Sequence, residues 1–169
     1  KGHDLYTDYS RELDIERAVT RTSYKVGDVQ YTREALASLS DRVIALKLTA
    51  SKKNNISFTA SYSTPFKNTT IKTANSNRLS FGGTTIDHEG VKGMVKYKGI
   101  VLILLKGGVI ATDDTSIIVQ HADEATIYIS IATNFNNYHD LSGDENARAE
   151  SYLHKAKSKS FTTTLNAHV

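Results

Sequence analysis

The chain of 169 residues contains no cysteine and no tryptophan, and it has only one proline and one methionine. The absence of cysteine excludes disulfide bonds and thiolate metal sites as the basis of the fold. A domain of this length can still bury roughly 70% of the surface that its unfolded chain exposes. We therefore expect a hydrophobic core to hold the fold together. The single proline, Pro65, marks the end of a predicted strand.

The sequence also lacks a long hydrophobic run and a dominant charge. Its longest apolar run, residues 99–105, is the size of a strand and far shorter than the ~20 residues of a membrane-spanning helix. The 21 basic and 18 acidic residues are interleaved along the chain. The basic cluster of Lys155, Lys157 and Lys159 is accompanied by no aromatic stacking set and no Gly-rich RNA-binding motif. We expect neither a membrane span nor a nucleic-acid partner.

Metal-binding motifs are missing as well. The sequence contains no HExxH pattern, and its histidines are scattered rather than placed at ligand spacing. The adjacent pair His139 and Asp140 is the most suggestive combination. Neighbouring residues on a strand point to opposite faces, however, so a structural role is favoured. We expect no metal and no cofactor.

Alternation of apolar and polar residues predicts several strands. Residues 56–63 alternate between apolar and hydroxyl side chains, which is typical of a half-buried strand. Residues 43–48 and 101–105 are apolar on both faces, which predicts two central strands. In all, about nine strands at short and regular spacing favour an all-β class, an antiparallel β-sandwich.

Glycine-containing turns separate some of these runs. Gly27 and Asp28 lie between two strand-like segments, and Gly107 and Gly108 lie between two others. Glycine adopts the positive φ that tight hairpin turns require. Each pair therefore predicts a hairpin.

The last part of the chain predicts one helix over residues 143–159. Ser142 and Glu145 have the spacing of a capping box. Apolar residues then recur at helical spacing at Ala149, Tyr152, Leu153 and Ala156. This apolar stripe is thin, so we expect the helix on the surface of the sandwich or bridging to a segment beyond Val169.

Short motifs follow one another in a specific order, chiefly in residues 9–51. They comprise Tyr9, Arg11, Leu13, Asp14 and Ala18, then Val29, Tyr31, Arg33, Glu34, Ala37 and Ser38, then Asp41, Arg42, Val43, Ile44 and Leu48. Further matches are Gly90, Gly93, Gly107, Gly108, Ala122, Asp123, Ala125, Thr126 and the segment 132–140. In order and spacing these residues resemble the N-terminal β domain of glycoside hydrolase family 95, the α-L-fucosidases and their relatives.

The resemblance implies a sandwich of the galactose-mutarotase-like kind, a supersandwich, over residues 1–141, with its first strands missing. It implies that residues 142–169 begin a helical linker to an α/α barrel that carries catalysis. The partners would be that barrel and linker, with the glycan substrate bound through the parent enzyme. We expect a periplasmic or secreted bacterial protein whose signal peptide lies outside this chain. Missing strands would leave exposed edges that favour self-association.

The parent enzyme would hydrolyse terminal fucose from glycans with inversion, using residues of the barrel. Inversion needs two carboxyl groups separated by ~6.5–9.5 Å. The carboxylates closest to such a role are predicted to be ordinary turn residues: Asp113, Asp114, Asp123 and Glu124. We therefore predict no catalytic residue in this chain. Arg11, Asp14 and Arg33 are predicted to hold strands together, because no aromatic platform accompanies them.

Substrate-binding candidates lie in the segment that leads out of the β domain. They are Phe135, Tyr138 and His139, and Tyr128 is a further aromatic candidate nearby. Stacking on a sugar is one interpretation. Packing against the barrel is the favoured one, because large aromatic residues dominate buried interfaces.

Two other functions remain open at this level. One is a self-standing carbohydrate-binding or interaction module, which requires sugar affinity in the isolated chain. The other is a mutarotase-like enzyme, which requires a histidine and a glutamate converging on a concave face.

Overall fold

The computed structural model describes residues 3–169, which form eleven strands followed by two helices. The strands are β1 (Thr7–Asp14), β2 (Val19–Val26), β3 (Val29–Ser38), β4 (Val43–Ala50), β5 (Ile56–Ser61), β6 (Thr69–Ala74), β7 (Arg78–Thr84), β8 (Lys96–Lys106), β9 (Val109–Thr112), β10 (Ser116–Ala122) and β11 (Glu124–Thr133). The helices are α1 (Glu145–Lys157) and α2 (Phe161–His168). Neither helix is long and apolar enough to cross a membrane.

The strands form two antiparallel sheets. The large sheet has eight strands in the order β1-β2-β3-β4-β11-β8-β7-β6, and the small sheet has three in the order β5-β10-β9. The predicted antiparallel β-sandwich is confirmed, as is the central position of the runs that begin at Val43 and Val101. The sequence predicted about nine strands, which is fewer than the eleven that the structure contains. Strands such as β6, whose only large apolar residue is Ile71, give little hydrophobic signal.

The large sheet is covered on both faces. On one face the small sheet packs against it, and on the other face the two helices do. Alternate residues of β8 serve the two cores, since Ile100 and Leu102 face the helices while Ile103 faces the small sheet. This three-layer arrangement explains why the central strands are apolar on both sides.

The C-terminal region contains two helices where the sequence predicted one over residues 143–159. The N-cap of α1 is Asp144 rather than Ser142, because the Asp144 carboxylate accepts the backbone N–H groups of Asn146 and Ala147, each at 2.9 Å. Ser160 caps α2 by accepting the N–H of Thr163 at 3.0 Å. Serine and aspartate side chains compete with the helix for backbone N–H groups. Asp144 therefore starts α1, and Ser160 separates α2 from it.

Helix α1 is part of the core rather than a surface element. Ala149 and Ala156 are 0% exposed and Leu153 is 2% exposed against the large sheet. The stripe looked thin in the sequence because two of its members are alanines. Small side chains let the helix backbone approach the sheet closely, so burial is complete despite the modest apolar area.

The two glycine-containing turns have different roles. Gly27, at φ +58°, turns the chain between β2 and β3, which pair from Val26 and Val29 onward, so that hairpin is confirmed. The hairpin predicted at Gly107 and Gly108 is wrong. Strand β8 pairs in the large sheet and β9 in the small sheet, so these glycines carry the chain from one sheet to the other. Both have positive φ, +69° and +72°, which permits the sharp change of direction.

Gly108→Ala is expected to lower the free energy of unfolding by about 3 kcal/mol, because a side chain at this φ is strained and also crowded. An added Cβ would lie 2.5 Å from the backbone nitrogen of Ala122. Gly27→Ala is the matched control, since nothing lies within 4 Å of its Cβ position. It should cost about 1 kcal/mol in urea denaturation, from the left-handed φ alone. Equal losses at both positions would contradict the close approach at Gly108.

Candidate functional site

The three substrate-binding candidates lie in the loop between β11 and α1. Phe135 and Tyr138 are 48% and 84% exposed. The rings of Tyr138 and His139 meet at 3.9 Å between centroids, whereas no ring contact joins Phe135 to either of them in the described chain. The backbone N–H of His139 is held by the side chain of Asn137 at 2.9 Å. The loop therefore presents an exposed Tyr–His pair with Phe135 standing apart.

Hydrogen bonds fix this loop to the rest of the domain. Arg148 of α1 donates to the carbonyl oxygens of Thr133 and Phe135, each at 2.9 Å, and also to the side chain of Asn136. The buried amide of Asn134 accepts the N–H of Lys96 at 2.8 Å and donates to a nearby loop carbonyl. The loop is thus an ordered extension of the sandwich.

Tyr128 is not available for stacking on a sugar. It is 0% exposed beneath the helices, and its hydroxyl donates to the carbonyl of Lys159 at 3.1 Å. Burial raises the pKa of this phenol, so it remains a neutral donor at physiological pH. Its role is to join β11 to the segment between the two helices.

An ion pair under the helices was not anticipated from the sequence. Lys159 contacts Asp41 at 2.5 Å, and the Asp41 side chain is only 3% exposed. Asp41 follows β3 and is 118 residues away along the chain. A second pair joins α1 to β7, with Arg78 at 2.7 Å from Glu150. These contacts fasten the helical segment to the large sheet.

The turn carboxylates are used for structure. Asp113 accepts hydrogen bonds from the hydroxyl and the N–H of Ser116, both at 2.6 Å, and from the N–H of Thr115 at 2.8 Å. Asp123 accepts the N–H of Asn54, and Glu124 pairs with Lys47 at 3.2 Å. The hydrogen bond from Ser116 chiefly lowers the pKa of Asp113. A general acid needs a raised pKa, so the contacts of Asp113 favour its predicted turn role. The turn position predicted for Glu124 is wrong, because Glu124 is the first residue of β11 and pairs with Thr49 and Lys106.

The lowered pKa of Asp113 gives a testable pH dependence. Because the folded pKa lies below the ordinary value of 3.8, the ionised carboxylate favours the fold. Its contribution is present above that value and is lost as pH falls through the folded pKa. We expect Asp113→Asn to lower the melting temperature at pH 7 but to converge with the wild type toward pH 2. Thermal melts of both proteins across this range check it, with Asp114→Asn as the control. A constant difference at every pH would contradict this assignment.

The acidic and histidine side chains of residues 3–169 do not converge on a metal site. No group of three or more histidine, cysteine, aspartate or glutamate side chains in that part of the chain is placed to hold a metal ion.

A groove lies on the inner face of the large sheet beside β5. Its volume is about 290 Å³, and we call it the Tyr24–Arg33 groove. The rings of Tyr24 and Tyr31 stack at 5.4 Å between centroids, and His3 lies 4.4 Å from Tyr31. Arg33 sits over the Tyr24 ring at 5.4 Å. The prediction that Arg33 lacks an aromatic platform was therefore wrong.

A chain of hydrogen bonds orders these polar groups. Arg33 donates to the hydroxyl of Tyr24 at 2.9 Å, and that hydroxyl lies 2.8 Å from Nδ1 of His3. The pKa of His3 is lowered, chiefly by burial and then by the charge of Arg33. A neutral His3 accepts the Tyr24 hydroxyl at Nδ1 and carries its proton on Nε2. The groove therefore presents hydrogen-bond donors.

A second cleft of about 390 Å³ lies on the opposite face, beside the start of α1. Three lysines line it together with hydroxyl-bearing residues: Lys72, Lys96, Lys98, Thr70, Ser80 and Thr84. Glu145 also lines this cleft, so its basic character is partly offset. None of the loop candidates lines either cleft.

The fold and its contacts define an antiparallel β-sandwich domain with a docked helix pair. Over residues 1–138 the chain matches the family described as glycosyl hydrolase family 65, N-terminal domain. The chain belongs to this family. The prediction of an N-terminal domain of a glycoside hydrolase-like protein is confirmed.

Known relatives are much longer than this chain. It is 29% identical to alpha-L-fucosidase 2 of Arabidopsis thaliana over 156 residues, which cover 80% of this chain and 18% of that protein. A solved structure, a putative kojibiose phosphorylase from the human microbiome, shares the fold with a TM-score of 0.65 at 12% identity. That match covers 97% of this chain and 24% of the phosphorylase.

Proposed function

We propose that this domain is a non-catalytic scaffold that supports and orients the catalytic domain of a glycoside hydrolase. The observation that carries the proposal is the docking of α1. Its buried stripe, the Arg78–Glu150 pair and the Lys159–Asp41 pair join the helices to the large sheet. Because these contacts fix the helices to the large sheet, the helices would hold the catalytic domain in a fixed orientation. The turn carboxylates, meanwhile, are occupied by structural hydrogen bonds.

The finer assignment is that the whole protein is an inverting α-L-fucosidase of the family 95 type, acting on fucosylated glycans. The similarity to the Arabidopsis protein supports it. In this proposal residues 142–169 begin the linker to an α/α barrel, and the protein is periplasmic or secreted in a bacterium. Phe135 and Tyr138 would then pack against the barrel, since both are exposed on an ordered loop.

The exposed edge strand of the large sheet, β1, is suited to contact another part of the protein. All eight residues of β1 are exposed, including Leu13, and Ile15 just beyond the strand is 87% exposed. We propose that the rest of the protein covers this edge. Sedimentation of the isolated chain would measure whether it self-associates through this edge. The irregular register between Thr7 and Ser10 limits simple strand pairing there.

Hydrolysis of an aryl α-L-fucoside tests the scaffold role. The chain of 169 residues is compared with a full-length protein that contains it, at equal molar concentration. We expect turnover by the full-length protein and none above background by the chain. Turnover by the chain itself would overturn the proposal that the chemistry lies elsewhere.

The Tyr24–Arg33 groove favours a second candidate, a carbohydrate-binding module. Calorimetry with fucosylated oligosaccharides tests it, and absence of heat at millimolar ligand would count against fucose as the sugar. The mutarotase-like alternative receives less support. The groove contains His3, but no aspartate or glutamate is among the described residues that line it.

A further inference from the structure

The Tyr24–Arg33 groove is exposed because the two sheets differ in width. Eight strands form the large sheet and only three form the small one, with β5 at its edge. The inner face of β3 and β4 therefore extends past β5. Leu46, Leu48 and Phe58 supply an apolar floor, and Tyr24 and Tyr31 form an aromatic wall. Sites of this size with an apolar surface and a few convergent polar groups are typical of small-ligand binding.

Arg33 is the charged group of the groove. No carboxylate lies within ion-pair distance of its guanidinium in residues 3–169. The guanidinium has five N–H donors, and its hydrogen bond to Tyr24 holds it in place over that ring. Its remaining donors are suited to a carboxylate, which arginine binds in a bidentate manner.

A second arginine strengthens the positive potential on this face. The strand register places Arg11 opposite Thr22, and Thr22 opposite Arg33. Residues opposite one another share a face of the sheet, so both arginines lie on the inner face, about 10 Å apart at ordinary strand spacing. Arg11 likewise has no ion-pair partner within the described chain. This face is therefore matched to an anionic ligand.

The uncharged groups of the groove suit a sugar ring. The Nε2 proton of His3 is a donor toward hydroxyl oxygens. The ring of Phe58 is partly exposed on the floor of the groove and can pack against the apolar face of a pyranose, whereas Tyr24 and Tyr31 are 6% and 8% exposed and form its buried wall. A simple carboxylate would use only Arg33, whereas a sugar would also use the ring of Phe58 and the donor of His3.

We propose that the Tyr24–Arg33 groove binds a carboxylate-bearing saccharide unit, a hexuronic acid, with its carboxylate on Arg33 and its ring against Phe58. This inference goes beyond the scaffold role and does not depend on it. The domain would then hold an acidic glycan chain on the inner face of its large sheet.

A matched pair of sugars tests the proposal in the chain itself. Methyl α-D-galacturonide and methyl α-D-galactoside differ only in bearing a carboxylate or a hydroxymethyl group. They are titrated into ¹⁵N-labelled protein and followed by amide chemical shifts. We expect saturable shifts at Tyr31, Thr32 and Arg33, with the galacturonide binding at least about tenfold more tightly. Acetate at the same concentration should bind more weakly than the galacturonide.

Variants separate the charge of Arg33 from general basicity. Arg33→Gln should remove the preference for the galacturonide, while Arg21→Gln, an equally exposed change on β2 outside the groove, should leave it intact. Equal binding of the two sugars, equal binding of acetate, or shifts confined to other surfaces would overturn the proposal. Were Arg33→Gln to unfold, the wild-type comparison of the two sugars still decides it.

Discussion

Lys159→Met is expected to lower the free energy of unfolding by about 3 kcal/mol, because it leaves the buried carboxylate of Asp41 without its cation. Asp41 is 3% exposed, and its Oδ2 has no hydrogen-bond partner in the described structure. Lys159 is one-third exposed, so the loss should fall at the lower end of values for buried pairs. Urea denaturation followed by circular dichroism measures the change.

Lys157→Met is the matched control for this prediction. Lys157 is exposed on the same helical segment and takes part in no ion pair of the described chain. It should change stability by less than about 0.5 kcal/mol. Adding Asp41→Asn to Lys159→Met should restore part of the loss, since the unpaired charge is then gone. Equal stability of the two lysine variants would show that the buried pair does not fasten the helices.

Leu153→Ala is expected to cost about 3 kcal/mol, because it opens a cavity between α1 and the large sheet. Leu153 is 2% exposed in the same core as Leu102 and Ile100. His154→Ala, an exposed change on the next residue of the helix, should have little effect. Both variants are compared by urea denaturation. Surface substitutions usually change stability by about 0.5 kcal/mol or less. A loss of only that size for Leu153→Ala would mean that α1 is a loosely attached linker.

Much of the sandwich could be predicted because its signals are local. The alternation in residues 56–63 and the turn at Gly27 depend on neighbouring residues only, and both predictions agree with the structure. The turn at Gly107 and Gly108 was assigned correctly as a turn but wrongly as a hairpin. Whether a glycine turn joins paired strands or changes sheets depends on where the following strand finds its partner, and β9 pairs with β10.

The C-terminal helices show a second limit. Ser142 and Asp144 are both residue types that cap helices, and they lie two positions apart. The Asp144 carboxylate accepts the first N–H groups of α1, so Asp144 is the cap. The burial of Ala149 and Ala156 could not be inferred from a thin stripe. Their burial depends on the flat apolar face of the large sheet, which is assembled from distant strands.

Of the candidate sites, the substrate-binding candidates lie in one exposed loop and stay a prediction, whereas the Tyr24–Arg33 groove was missed. A signal for the groove existed. Once a two-residue turn at Gly27 and Asp28 is predicted, Tyr24 falls directly opposite Tyr31, as the structure has it. The contribution of His3 could not be inferred, because it lies outside the hairpin and reaches Tyr24 through tertiary packing.

The Lys159–Asp41 contact was beyond sequence reasoning for a different reason. Asp41 belongs to a motif of the resemblance, and Lys159 to a run that reads as a solvated surface. Only the docking of the helices brings the two together. Such long-range pairs connect the sandwich to the segment that would lead into a catalytic domain.

The most direct test of the scaffold role uses a full-length protein that contains this domain. Its kcat and KM for an aryl α-L-fucoside are measured with Lys159→Met and with the control Lys157→Met, at a temperature where both remain folded. A loosened scaffold should lower kcat in the Lys159 variant and leave KM unchanged, because the domain orients the catalytic residues without touching the fucoside. A raised KM with unchanged kcat, or identical kinetics for the two variants, would contradict the scaffold role.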